Sequence, residues 1–309
     1  MDTRSLAKLE FENACCPICG NTKLKPLLVA GSPEVPCYLS ICRRDGMVLL
    51  NPRWTEAGYR YFYEQCYDSL YRSVILRKET NDQKYEKARI MGPRIDDMLA
   101  FKKARSVLDI GAGMGWTLQW LQQEHGFEEL YAIEPSLHCA ENVRSNVSAE
   151  LVARDITEKW EVKACDFIVM RHVLEHLVDP YEALRKVEAS LAPGGIAYIA
   201  VPNMMSPTVG LYEGWFRVVH LYYFCIETLN YLALTAGLEP VRSGVENGEI
   251  WVVYQKTKTV RTGVLPQVYR RQLWVIRKCL FRDSLAKKPY GRCILKVRKS
   301  VIRRFGFRK

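Results

Sequence analysis

No stretch of the 309 residues approaches the roughly 18 uninterrupted apolar residues that a membrane-spanning helix requires. The first thirty residues also lack the apolar core of a secretory signal peptide. Both absences point to a cytoplasmic chain, in which the eleven cysteines serve as thiols or metal ligands rather than disulfides. Acidic residues are scarce at one end. From Lys256 to Lys309, eighteen Lys and Arg face the single acid Asp283, a net of +17 that leaves −6 for residues 1–255. The basicity therefore belongs to a tail and not to the bulk of the protein. The length exceeds one average domain and falls short of two large ones, and the 48% apolar content suffices for a sizeable core. One α/β core with appendages is the expectation.

Within that core the run Val107-Leu-Asp-Ile-Gly-Ala-Gly-Met-Gly115 joins a buried-strand pattern to three alternate glycines, and the periodic segment Trp116 to Leu121 opens a helix. Glycines at such a strand-to-helix turn let a ligand approach the backbone, because a Cβ would collide with it or forbid the required φ. What the turn lacks narrows the ligand. No lysine follows Gly115, so the phosphate-binding P-loop is excluded. Trp116 stands where a dinucleotide fingerprint would need its third glycine. Downstream, Glu129-Leu-Tyr-Ala-Ile-Glu134 reads as a second strand ending in an acid about twenty positions past the glycines, placed to accept hydrogen bonds from the ribose hydroxyls of an adenosine.

The remaining pattern, Asp109-x-Gly111-x-Gly113-x-Gly115, resembles the first motif of the class I S-adenosylmethionine-dependent methyltransferases. Further runs fit the same family in order: Leu174-Glu-His176 with Asp179-Pro180, then Leu191-Ala-Pro-Gly-Gly195 leading into the apolar strand Ile196–Val201 and Pro202-Asn203. The resemblance implies a Rossmann-like, doubly wound α/β sheet of seven strands, mostly parallel, with helices on both faces. It implies that the glycines pass under the amino-acid moiety of S-adenosylmethionine and that Asp155, closing the strand Glu150–Asp155, accepts from the adenine amino group. Ligands of doubly wound sheets sit outside the carboxyl ends of the strands, so Arg171 and His172, after the strand Asp166–Met170, should border cofactor or acceptor. His172 is a candidate general base. The same residues spell His172-x-x-Glu175-His176, an inverted zinc-protease pattern. Its place directly after a parallel strand, and the lack of an evident third ligand, argue against a metal there. A structural or helix-capping role is expected for His176.

At the N-terminus, Cys16 and Cys19 form a C-x-x-C-G knuckle, and Cys42 begins a second in which Asp45 occupies the position of the fourth thiol. With Val48-Leu-Leu-Asn-Pro52 behind it, this resembles the zinc-ribbon-like head of a subset of these methyltransferases. Zinc on Cys16, Cys19, Cys42 and Asp45 is one reading. Substitution by Cys37 or Cys15, or a metal-free head, are the others. Cys66, Cys139, Cys165, Cys225, Cys279 and Cys293 read as small buried hydrophobes.

Between head and core, Thr55 is a plausible N-cap for a helix to Glu64, and the aromatics Tyr59, Tyr61, Phe62, Tyr63, Tyr67 and Tyr71 either pack the head onto the core or form a lid. Asn81 to Phe101 reads as an amphipathic helix with Ile90, Ile95, Met98 and Leu99 inward. The segment Val219-His-Leu-Tyr-Tyr-Phe224 resembles the family's histidine-bearing stretch before a Thr-Leu helix, making His220 a second base or acceptor group, or a cap for the helix Ile226–Ala236. Ile250–Tyr254 reads as the closing antiparallel strand. In the tail, Leu273, Ile276 and Leu280 form one apolar stripe among cations, and Ile294 to Phe305 repeats the pattern.

The resulting domain layout is a head at 1–53, a helical lid or linker at 54–104, the cofactor-binding core at 105–256 and a basic amphipathic extension at 257–309. Ribbon-headed relatives often serve polysaccharide biosynthesis, so the expected acceptor is a saccharide, lipid-linked or small-molecule hydroxyl. The tail implies either peripheral contact with the inner membrane face or a helical extension packing on the chain's own acidic core, with nucleic acid as a rival partner. An RNA-modifying methyltransferase and a non-catalytic scaffold are the alternative functions. Oligomeric state is not legible.

Overall fold

The computed structural model describes residues 3–32, 35–66, 81–158, 160, 164–257 and 264–287. Tyr67, Tyr71, Cys293 and the segment Ile294 to Phe305 lie outside them.

The head begins with β1 (Phe11–Glu12), β2 (Lys25–Ser32), β3 (Val35–Ile41), β4 (Val48–Leu50) and β5 (Arg53–Trp54). Then come the core strands β6 (Ser106–Ile110), β7 (Glu129–Ile133), β8 (Glu150–Ala153), β9 (Cys165–Arg171) and β10 (Leu191–Pro202). The last three are β11 (Tyr222–Tyr223), β12 (Leu238–Glu246) and β13 (Glu249–Lys256).

The central sheet has seven strands in the order β12-β13-β10-β9-β6-β7-β8. β6 to β10 are parallel, and β12 and β13 are antiparallel. This is the expected doubly wound sheet. Its central strands have continuous apolar runs because both faces are covered, and every residue of β6 is buried. From β6 the chain builds first one way, to β7 and β8, and then the other, to β9 and β10. The carboxyl ends of β6 and β9 therefore flank the switch point.

Local signals hold where they are strong. Asp179 caps the helix Pro180–Ser190 by accepting from the Glu182 N–H at 2.9 Å, and Pro180 is pre-set for the first turn. Thr55 caps the helix Glu56–Tyr61 by accepting from the Gly58 N–H at 3.3 Å. The cap of the helix Ile226–Thr235 is Cys225, whose N–H donates to Thr228 Oγ1, and not His220.

The single helix expected over Asn81 to Phe101 is three, Asn81–Arg89, Gly92–Ile95 and Leu99–Lys103. Pro93 supplies no N–H to a continuing ladder, so the chain restarts there. The second restart, at Met98, turns Leu99 outward, 65% exposed instead of inward.

A second sheet, of four strands in the order β11-β4-β3-β2, carries the head. Its outer strand β11 comes from residues 222–223, and Tyr222 and Tyr223 pair with Leu49 and Val48. Head and core are thus tied by main-chain hydrogen bonds across 170 residues of sequence. The other face of this sheet receives the helix Tyr269–Lys287, with Val275, Ile276 and Cys279 packed among Leu39, Ile41 and Val48. Tyr59 and Phe62 are buried against Trp54, so these rings do pack head onto core. Cys66, Cys139, Cys165, Cys225 and Cys279 are buried, as expected.

Candidate active site

The glycine turn after β6 is built as its spacing requires. Gly111, Gly113 and Gly115 have φ of +79°, +54° and +79°. A Cβ on Gly111 would stand 2.4 Å from Val173 Cγ2, and one on Gly115 would stand 2.9 Å from Val147 Cγ2. At Gly113 nothing lies within 4 Å, so its missing side chain faces open space where a ligand can lie on the backbone. Glu134, at the end of β7, reaches back across the turn. One carboxylate oxygen accepts from the Gly113 N–H at 2.7 Å and the other from the Ser136 N–H at 2.8 Å. Asp109 is buried beneath them. Burial, reinforced by the nearby Glu134 charge, pushes its carboxyl up to about 7. A site with this much trapped negative potential suits a cationic ligand, and the turn and both acids fit the amino-acid and ribose ends of S-adenosylmethionine.

Asp155 is exposed, where its Oδ1 accepts from the N–H and hydroxyl of Thr157, closing a turn. Arg171 lies at the site's edge in an ion pair with Glu249, 2.9 Å away, and donates to the Lys87 carbonyl.

The Gly111 contact with Val173 joins this turn to a cluster of titratable groups. His172 has φ +56°, an uncommon left-handed conformation for a non-glycine residue, and its N–H donates to the Ala200 carbonyl. Its ring lies between two carboxylates, Nε2 2.7 Å from Glu249 and Nδ1 3.5 Å from Glu175. Burial opposes its charge, but hydrogen bonds to Glu175 and Glu249 outweigh that and hold its pKa up at about 9. Burial likewise opposes ionisation of Glu175 and Glu249, yet the facing cations, His172 first among them, hold each at about 2.

The third partner that the sequence does not disclose is supplied by folding. His220, 44 positions after His176, packs edge-on against it with ring centroids 4.7 Å apart. Ligand atoms of Glu175, His176 and His220 lie within 4.8 Å of one another. His176 Nδ1 is 3.1 Å from the Tyr63 hydroxyl. The buried Glu175 carboxylate meets the two imidazoles only at ion-pair distance, Oε1 lying 3.5 Å from His172 Nδ1 and 3.8 Å from His176 Nε2. Burial depresses both imidazoles, His220 to about 3, so both are neutral near pH 7 with nitrogen lone pairs available.

Glu249 is the site residue that the sequence reading missed. It is 7% exposed and accepts from Arg94 Nη1 at 2.8 Å as well as from Arg171 and His172. Arg94 also binds Tyr198 and Glu246, with its guanidinium 5.1 Å over the Trp251 ring. A signal existed: Asn247-Gly248 is a strong hairpin dipeptide. Both residues have positive φ and join β12 to β13 in a two-residue turn, pairing Glu246 with Glu249.

In the head, Cys16, Cys19, Cys42 and Asp45 converge, their ligand atoms all within 4.8 Å of one another. Cys16 Sγ is 3.2 Å and Cys42 Sγ 3.3 Å from Asp45 Oδ2, and the Cys19 and Cys42 sulfurs are 3.6 Å apart. Asp45 is buried, and its second oxygen accepts from the Met47 N–H. Cys37 is buried in a different cluster on β3 and Cys15 is exposed, so the fourth position belongs to Asp45. Three sulfurs and one oxygen at this spacing could hold a metal ion.

Comparison with known proteins agrees with this geometry. A family model described as a methyltransferase domain matches residues 83–243. A tRNA U34 carboxymethyltransferase from Pseudoalteromonas translucida (strain TAC 125) is 30% identical over 99 residues, 30% of each chain, so the match spans under a third of that enzyme. Among solved structures, the mitomycin 7-O-methyltransferase MmcR superposes with a TM-score of 0.53 at 15% identity, over 64% of this chain and 60% of that one. An S-adenosylmethionine-dependent methyltransferase from Clostridium acetobutylicum ATCC 824 aligns at 14% identity over 64% of this chain and 99% of its own, with a TM-score of 0.45. The family match spans half the chain and contains both the glycine turn and the histidine loop: the protein belongs to the class I S-adenosylmethionine-dependent methyltransferases.

Proposed function

We propose that this methyltransferase O-methylates a hydroxyl of a saccharide, lipid-linked or small-molecule acceptor, with His220 as the base. The observation that carries the reading is the pairing of neutral His220 with neutral His176, which meets the Tyr63 hydroxyl and lies on the loop whose Val173 abuts the cofactor turn. Imidazole and phenol groups are hydrogen-bonding partners for hydroxyls. When bound, S-adenosylmethionine supplies an electrophilic methyl group. Asp109, Gly111, Gly113 and Gly115 would hold its amino-acid end, Glu134 its ribose, and Asp155 would lie toward the adenine. His220, kept neutral but weakly basic by burial, would accept the hydrogen bond of the acceptor hydroxyl and take its proton late, once transfer of the methyl group that the cofactor would supply has made that hydroxyl strongly acidic. His172, charged between Glu175 and Glu249, is a poor proton acceptor near neutral pH and orients the carboxylates instead. Positioning the two reactants supplies the larger part of the rate enhancement.

The test is turnover of nucleotide-sugar and lipid-linked sugar acceptors by His220→Ala. We expect a fall in kcat of about 10²–10⁴ with cofactor affinity unchanged. Wild-type turnover in that variant would remove His220 from the chemistry. A second reading, methylation of RNA, draws on the name of the curated relative and on the tail's net +17. Steeply salt-dependent tRNA binding together with methyl transfer to tRNA would establish it in place of the saccharide.

The same reading assigns zinc to Cys16, Cys19, Cys42 and Asp45, where it would fix the head that β11 joins to the core. Buried sulfur and carboxylate donors of this number and spacing support a structural ion.

A further inference from the structure

The tail's apolar stripe suggested a membrane-facing surface made of Leu273, Ile276 and Leu280. Packing turns the helix Tyr269–Lys287 differently. Val275, Ile276 and Cys279 are buried against the four-stranded sheet. Gln272 donates to Cys225 Sγ at 3.4 Å, and the buried Asp283 accepts from the Leu211 N–H at 2.8 Å, which fixes the rotation about the helix axis. The face left outward carries Trp274 and Phe281, 60% and 66% exposed and two turns apart on one side. Arg270, Arg277 and Lys278 are exposed beside them, and the Lys278 ammonium stands 4.7 Å from the Trp274 ring centre. The helix's one acid, Asp283, points inward, so its exposed positions carry no negative charge.

We propose that this outward face docks on an anionic bilayer surface, with Trp274 and Phe281 entering the headgroup region and Arg270, Arg277 and Lys278 lying over anionic headgroups. Scattered exposed apolar residues need no explanation, but two large rings aligned among cations have the composition of an interfacial helix. Tryptophan suits that depth because its ring is apolar while its N–H stays wet. Long basic side chains can keep their charges at the surface while their stems lie along the apolar layer. Charge also selects the occupant. A second copy would bring an equally cationic face against this one, whereas an anionic leaflet neutralises it. Residues 288–309 extend the same sign, with nine further Lys and Arg and no acid. The assignment is independent of the acceptor.

The test uses the full chain and two vesicle compositions, phosphatidylcholine alone and phosphatidylcholine with one third replaced by phosphatidylglycerol. We expect wild type to partition onto the anionic vesicles at least tenfold more strongly than onto the neutral ones. Trp274→Ala combined with Phe281→Ala should lose at least tenfold of that partitioning, with S-adenosylmethionine affinity unchanged as evidence of folding. The conservative Trp274→Phe provides a second readout: brominated acyl chains should quench a component of wild-type emission that this variant lacks. Unchanged partitioning of the double variant, or identical quenching in Trp274→Phe, overturns the proposal. So does light scattering that shows a wild-type dimer converted to monomer by the double substitution. A tRNA affinity that depends on the two rings, in a protein that ignores anionic vesicles, would assign the face to RNA and likewise overturn it.

Discussion

Gly113 and Gly111 carry the same motif letter and do different work. At Gly113 an added methyl would enter open space, so the substitution Gly113→Ala bears only the left-handed backbone strain, about 1–2 kcal/mol, and any further loss falls on the ligand. We expect calorimetry to show at least tenfold weaker S-adenosylmethionine binding with only a modest drop in Tm. Gly111→Ala forces a clash with Val173 besides the strain and should lower Tm further. Equal stabilities for the two variants would contradict this assignment. Glu249 poses a charge question of the same size. Glu249→Gln removes one of the two carboxylates paired with Arg94, buried at 4% exposure, and leaves it Glu246 and Tyr198, a change that costs about 1–3 kcal/mol. It also removes one of two supports of the His172 charge. A pKa raised from 6.5 to about 9 contributes stability that is complete below pH 6.5 and fades as pH rises through 9. The His172 ring is 44% exposed, so solvent screens part of that effect. Melting curves should therefore show wild type losing stability between pH 6.5 and 9, and Glu249→Gln showing a flatter dependence there. Glu249 escaped the motif search because its role needs four side chains drawn together from three distant segments.

Among the elements, the helix Tyr269–Lys287 is part of the folded structure and not an appendage. Gly46, with φ +91°, turns the head's second knuckle so closely onto the helix start that a Cβ would stand 2.6 Å from the Tyr269 nitrogen. Ile276 is 2% exposed in the shared cluster, so Ile276→Ala should cost about 2–5 kcal/mol in denaturant titration. A loss below 0.5 kcal/mol would show that the helix is not packed as described. Short capped helices were legible because Thr55 and Asp179 satisfy end groups within three residues of themselves. The direction in which the tail helix faces was not. Val275, Ile276 and Trp274 are all apolar, and only the sheet they meet decides which of them is covered.

At the scale of the whole molecule, β11 lies in the loop after the core's fifth parallel strand and completes the head's sheet, so the two parts should unfold together. Cys42→Ser should shift a single cooperative transition, and so should a chelator that withdraws the proposed zinc. Circular dichroism and cofactor-protected calorimetry should report the same midpoint, and two separated transitions would show that head and core are independent. Metal analysis of wild type against Cys19→Ser measures the ion itself. By itself the sequence determined the sheet, its glycine turn and the identity of the methyl donor, because buried strands, capped helices and positive-φ glycines are dictated by residues within a few positions of one another. Tertiary structure alone decided that His220 joins His176 and Glu175, that Glu249 holds His172 and Arg171, and that Trp274 and Phe281 face outward. Those arrangements arise from contacts between segments tens of residues apart, for which a linear pattern carries no period and no spacing.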